Sequence, residues 1–240
     1  MSGIVNFSCI ANKKMRKRGY MEEKERVLVW DIAIRLFHFL LVLLITFSVW
    51  TGIQGGIYLE YHFLSGYCIL CLVVFRVLWG VLGSTTAQFK SFVKTPRTVA
   101  KFLLEIVRGT APSFTGHNPA GGYMVITLLI TIFCQTITGL FSDDQIFNAG
   151  PLRSFIQADT AGMLTNWHHI TFDVLVVLSA IHVFAIFWHE WILGERLIIS
   201  MITGKKEKGK GSERIIFVSH SRLLIALTIS IVIVWGLVNY

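Results

Sequence analysis

Charge is what this sequence has least of. Lys, Arg, Asp and Glu make up 15% of the 240 residues, against roughly 25% in soluble domains, and they fall in a few clusters between long apolar runs. A soluble domain of this size would show polar surface along its whole length, so that class is excluded. Short-period internal repeats are lacking. So are the paired broken helices of a transporter and an A-x-A-like cleavage site after the first apolar run, which is also too long for a signal-peptide core. What remains is apolar: 54% of the residues, with a mean hydropathy of +0.63. The composition reads as a polytopic membrane protein, in which the bilayer replaces most polar surface.

Five runs approach the ~20 residues that cross about 30 Å of hydrocarbon. They lie at roughly 28–52, 62–82, 121–141, 167–190 and 215–239. The predicted fold is an all-α integral membrane protein, with a four-helix core over 28–204 and a fifth, C-terminal transmembrane helix within 215–240. Residues 1–27 read as a basic cytoplasmic leader in which Met15 and Met21 are alternative initiators.

Lys and Arg concentrate in that leader and in two connections. One carries Lys90, Lys94, Arg97, Lys101 and Arg108; the other carries Arg196, Lys205, Lys206, Lys208, Lys210 and Arg214. The remaining connections are acidic, with Glu60 in one and Asp143, Asp144 and Asp159 against Arg153 in the other. The positive-inside rule then puts the amino terminus in the cytoplasm and the carboxyl terminus outside. The net charge of +8 is mainly this topology signal and is no argument for nucleic acid as a partner. Within the second connection, Thr95 and Pro96 suit the cap and first position of an interfacial helix, with Val99, Phe102, Leu103 and Ile106 as its apolar stripe. Asn118 and Pro119 look like the start of the third span, and 205–214 reads as a flexible, solvated linker.

The stretch TNWHHITFDVLVVLSAIHVFAIFWHEW, residues 165–191, carries four histidines through hydrocarbon, where ionisable groups are costly and mark function. At about 100° and 1.5 Å per residue, His168 and His182 share one face and lie about 21 Å apart, while His169 turns about 140° away from His182. Partners exist at matching depth: His38 near the basic end of the first span for His182, and His62 at the outer start of the second for His168. The sequence thus permits two bis-histidine sites, one near each leaflet. Zinc would want four ligands and has no second pair here. Cys68 and Cys71, in mid-membrane, lack the following histidine of a c-type haem attachment and read as small packing residues. Haem b fits two axial imidazoles and an apolar surround. Its propionates need cations. Arg35 and Arg76 stand near the inner site, and Asp31 could restrain Arg35 from four residues away; ordinary snorkelling of either arginine is the competing reading. Gly66, four after His62, removes a side chain where the ring of the outer haem would press.

At VWDIAIRLFHFLL, HFLSGYCILCLVVFRVLWGVLGS, GHNPAGGYMVITLL and WHHITFDVLVVLSAIHVFA the chain resembles the bacterial di-haem cytochrome b family of cytochrome b561 type, which includes the membrane subunit of nickel-iron hydrogenases. The resemblance runs from about Val29 to Gly204. It implies a four-helix core with two b haems held by the first, second and fourth helices, matching His38, His62, His168 and His182 one by one. The GHNPAGG motif looks most like members thought to work with small c-type cytochromes rather than with a hydrogenase. The fifth span lies outside the shared core.

The expected function is electron transfer in a bacterial inner membrane, between the quinone pool and a periplasmic redox partner such as a c-type cytochrome. The acidic outer connection would suit docking of a lysine-rimmed cytochrome c, or be no more than a solvated loop. Quinone needs a proton-handling group near one leaflet. His117, His189 and Glu190 offer one on the inner side, His169 and Asp173 on the outer, and the sequence leaves the side open. Two alternatives stand beside this reading: a superoxide:quinone oxidoreductase, attributed to a relative with the same four ligands, and the membrane subunit of a hydrogenase-like complex. The first would need a basic funnel at the outer haem.

Overall fold

The computed structural model describes residues 26–144, 148–209 and 214–239, so most of the basic leader lies outside the described residues. Seven helices of at least seven residues follow in order: α1 (Ile32–Gln54), α2 (Leu59–Leu82), α3 (Pro96–Val107), α4 (Pro119–Phe141), α5 (Ala158–Trp191), α6 (Leu197–Thr203) and α7 (His220–Val238). Of these, α1, α2, α4, α5 and α7 are long and apolar enough to cross a membrane. The fold is an all-α membrane bundle, with one minor addition: the three-residue strands β1 (Arg26–Leu28) and β2 (Lys205–Glu207) pair antiparallel.

Local chemistry sets the helix starts. The Ile34 N–H donates to Asp31 Oδ1 at 2.8 Å, capping α1, while the residues just before are drawn to the Gly204 carbonyl, which accepts from the N–H groups of Val29 (2.7 Å) and Trp30 (3.1 Å). Thr95 caps α3 with Pro96 in its first turn, and Asn118 caps α4 through the Gly121 N–H at 2.7 Å. On α3, Val99 and Phe102 are buried, but Leu103 faces outward beside Leu104 and Val107. The apolar stripe therefore serves both the protein and the surface beyond it. Helix α5 starts at Ala158, well before the expected 167, because Ala161 is buried and the Thr165 hydroxyl donates to its carbonyl at 2.9 Å. His168 consequently lies well inside a helix rather than at a fraying end.

Helix α2 is the hub, packed on α1, α4 and α7. On α7, Ala226 and Ser230 are fully buried one turn apart, the small-residue spacing that lets helices close in lipid. The Ser230 hydroxyl is satisfied by the Ala226 carbonyl at 2.7 Å. By contrast α5 packs on α4 and α6, and only Ala161 and Leu175 along its 34 residues are buried.

The segment expected as a flexible linker is partly built into the fold. Lys205–Glu207 forms β2, Lys206 is turned inward, and the Thr115 hydroxyl and the Gly209 backbone exchange hydrogen bonds of 3.0 and 2.9 Å. The Thr86 hydroxyl reaches the Val29 carbonyl (2.6 Å), and Thr85 meets the Ile216 backbone at 3.1 Å. These contacts gather β1, the α2–α4 connection and the α5–α7 connection at one end of the bundle, the basic end.

Candidate functional site

At the opposite end His62, in the first turns of α2, places Nδ1 2.8 Å from the Ser48 carbonyl and 3.2 Å from the Ser48 hydroxyl. His168 on α5 places Nδ1 2.9 Å from the Gln135 carbonyl. A carbonyl accepts only, so both rings carry hydrogen on Nδ1 and keep the lone pair on Nε2. The two rings have centroids 6.1 Å apart and stand edge to face, their planes 84° apart. Around them lies a largely apolar cavity of ≈ 640 Å³, whose lining includes Gly66, Tyr67, Phe172 and Leu175. A Cβ on Gly66 would meet nothing within 4 Å.

Two glycines that sequence reasoning passed over seat the rings. A Cβ on Gly52 would stand 2.9 Å from His62 Nδ1, and one on Gly139 would stand 3.0 Å from His168 Cε1. Their signal was in the sequence: Ser48–Gly52 and Gln135–Gly139 are each a polar residue followed by glycine one turn later. The Gln135 amide donates to the His168 Nε2 lone pair at 3.1 Å, a bond that a metal on that nitrogen would replace, and the Thr171 hydroxyl donates to Gln135 Oε1. His169 lines the cavity with an exposed ring 6.3 Å from that of His168. It makes no hydrogen bond or ion pair with Asp173, which is exposed on the outer side of α5. The proton-exchanging pair expected there is not brought together: His169 is part of the cavity lining and Asp173 is not.

At the basic end His38 of α1 and His182 of α5 come within electrostatic reach of each other. Along the unbroken α5, His182 lies about 21 Å from His168. Arg76 is buried at 3% exposure, with its guanidinium 4.9 Å from the Phe89 ring centre and 5.9 Å from that of Phe92. Arg35 is engaged otherwise than expected. Its Nε donates to the Met201 carbonyl at 3.1 Å and its Nη2 to Ile202, supplying the orphan carbonyls at the end of α6. Asp31 does not hold it, since the Asp31 carboxylate takes the Ile34 N–H and the Trp79 indole N–H (3.1 Å).

His117 is held between Trp30 and Phe92, each ring centre 4.6 Å away. Burial, and then the charges of Arg76, Lys206 and His182, push its pKa down to about 3, so it is neutral. Glu190 accepts from the Ile198 N–H at 3.1 Å and thereby caps α6. It is Glu195 that faces His189 (Nδ1 at 3.6 Å) and Lys206 (3.3 Å). Burial would raise the Glu195 carboxyl, but His189 and Lys206 together hold it below the usual carboxylate range. The turn at Gly194, φ 67°, brings Glu195 back onto α5, where its N–H donates to the His189 carbonyl at 3.0 Å. That reversal is why Glu195 and Lys206 escaped sequence reasoning. Among the described residues no three His, Cys, Asp or Glu are grouped to hold a metal ion; the histidines brought together are His62 and His168, with His38 and His182 in electrostatic reach of each other at the basic end.

A family model described as prokaryotic cytochrome b561 matches residues 29–204. A protein of Bradyrhizobium diazoefficiens named "Probable Ni/Fe-hydrogenase B-type cytochrome subunit" is 24% identical over 161 residues, which cover 61% of this chain and 65% of that protein. The match thus spans just under two thirds of the relative's length. No solved structure matches the chain.

Proposed function

We propose, from the premise that this chain belongs to the prokaryotic cytochrome b561 family and is a membrane electron-transfer cytochrome b, that it carries two b haems. One lies between His38 and His182, the other between His62 and His168, and the chain relays electrons between a quinone and a redox partner across the membrane. The observation that supports this most is the pair His62 and His168, ring centroids 6.1 Å apart beside an apolar cavity and each oriented by a backbone carbonyl. A bound b haem supplies one-electron transfer at iron. The chain's part is positional. His38, His62, His168 and His182 would hold the iron through imidazole nitrogen alone, and the Ser48 and Gln135 carbonyls fix the tautomers of His62 and His168 and would raise their basicity as ligands. Helix α5 holds the two sites about 21 Å apart along its axis.

The basic end faces the cytoplasm and the carboxyl terminus the periplasm of a bacterial inner membrane. Quinone is handled at the basic end, where His189, backed by Glu195, exchanges the proton. At the other end a small c-type cytochrome docks by charge, less strongly than the sequence suggests because Asp143 is tied to Arg153. The relative's name supports a second reading, the membrane subunit of a hydrogenase-like complex. Superoxide chemistry is less well supported, since among the described residues no Lys or Arg lines the outer cavity to draw in an anion.

A pyridine haemochrome assay on the purified chain tests the proposal. Two haems per chain are expected, with His168→Ala losing the outer haem and keeping the inner one, and His169→Ala keeping both. One haem per chain, or loss in His169→Ala instead, would overturn the assignment.

A further inference from the structure

Among the described residues, four buried side-chain nitrogens have no hydrogen-bond partner: His38 Nδ1, Arg76 Nη1, His117 Nδ1 and His189 Nδ1. All belong to the basic end. A buried polar atom left unpaired gives up its hydration with nothing in return; His189 Nδ1 at least faces Glu195 at 3.6 Å, which leaves three without a partner in view. Two of the four converge around one side chain. Phe92 lies 4.6 Å from the His117 ring and 5.9 Å from the Arg76 guanidinium carbon.

The nearby charges do not satisfy Arg76. Asp31 is within electrostatic reach, but its oxygens already take the Ile34 and Trp79 N–H groups. Glu195 is committed to Lys206 at 3.3 Å. Phe89 and Phe92 offer ring faces to the guanidinium, and a ring face accepts no conventional hydrogen bond from Nη1. Arg76 Nη1 and His117 Nδ1, on two residues that both lie against Phe92, are thus each left without an acceptor among the described residues.

We propose that Arg76 Nη1 and His117 Nδ1 are the two arms of a carboxylate-binding site at the basic end, and that its occupant is a propionate of the haem held by His38 and His182. This rests on the two-haem reading above. It also removes His117 from the quinone candidates and relieves Arg35, which closes α6 instead. Arg76 supplies the charge and His117 a directed neutral hydrogen bond. Trp30 and Phe92 fix the imidazole plane so that its nitrogen cannot turn away. The opposite cavity offers no such cation: Asp143, paired with Arg153, and Asp144 line it, and among the described residues no Lys or Arg does. The inner haem is therefore the more oxidising of the two, and electrons run downhill from the outer site toward the basic end.

Potentiometric titration of the haem spectrum in the purified full-length chain tests this. Wild type is expected to show two midpoints, the higher of which disappears in His38→Ala and the lower in His62→Ala. Arg76→Gln should lower the higher midpoint alone, since an uncompensated carboxylate favours ferric iron, and Arg76→Lys should lower it less. His117→Phe keeps a ring in the slot and changes no charge at neutral pH, so a smaller drop in the same midpoint would mark the lost hydrogen bond. If Arg76→Gln cannot be isolated with haem, Arg76→Lys and His117→Phe decide. Unmoved midpoints in the variants, or movement of the component that His62→Ala abolishes, would overturn the carboxylate site and leave the two-haem reading standing. A wild type with no haem at the His38 site would overturn both.

Discussion

Gly52 and Ser48, one turn apart on α1, act on His62 together: the carbonyl of one orients Nδ1 while the missing side chain of the other lets the ring approach. A methyl on Gly52 would meet that ring at 2.9 Å, closer than real Cβ contacts come, so the imidazole must shift and the 2.8 Å bond to the Ser48 carbonyl must lengthen. Gly52→Ala should reduce occupancy of the outer site severalfold and leave the inner site filled. Haem content compared with that of Gly66→Ala, whose methyl enters open space, checks it. Equal loss in the two variants would show cavity volume, not ring seating, to be what matters. The phase of His168, His169 and His182 could be read from sequence because 100° per residue is a property of any straight helix. The partners of Arg35 and His189 could not. Both depend on residues 195–202, which return to the bundle only through the turn at Gly194.

That returning segment is the element whose stability depends on ionisation. Glu195 and Lys206 are both largely buried, with side chains 17% and 9% exposed, and removing one partner from a buried pair leaves the other charge uncompensated at a cost of about 3 kcal/mol. Because the folded-state carboxyl is held below its ordinary value, its stabilisation is complete above the usual carboxylate pKa and is lost as pH falls through the depressed one. Wild type in detergent should therefore melt at lower temperature as the pH drops below about 4. Glu195→Gln should melt several degrees lower at neutral pH and lack that acid step. An unchanged acid step in the variant would assign it to other carboxylates. The helices carrying the candidate ligands were legible as apolar runs, since length and hydropathy suffice for a span. The returning segment was not, because a basic run such as GKKEKGKGSER gives no sign that Lys205–Glu207 pairs with β1 and turns Lys206 inward to meet Glu195.

For the molecule as a whole, the position of α7 separates the haem-binding core from its support. Helix α7 packs along α2, while α1, α2 and α5 carry the four histidines and α4 seats His168 through Gln135 and Gly139. Nothing on α7 reaches either histidine pair among the described residues. Yet Ala226 and Ser230 are fully buried, so removing the helix would uncover part of α2 to lipid and forfeit close van der Waals packing without exposing it to water. A chain ending after Gly209, which retains β2 and the contact between Gly209 and Thr115, should thus bind both haems with unchanged midpoints and lose only thermal stability. In the full chain α7 also carries the carboxyl terminus to the side opposite the basic end. An alkaline phosphatase fused after Tyr240 should then be active, and one fused after Gly209 inactive. Active enzyme at both points would mean that α7 does not span. Loss of a haem in a truncated chain whose other midpoint is intact would give the fifth helix a direct part in one site.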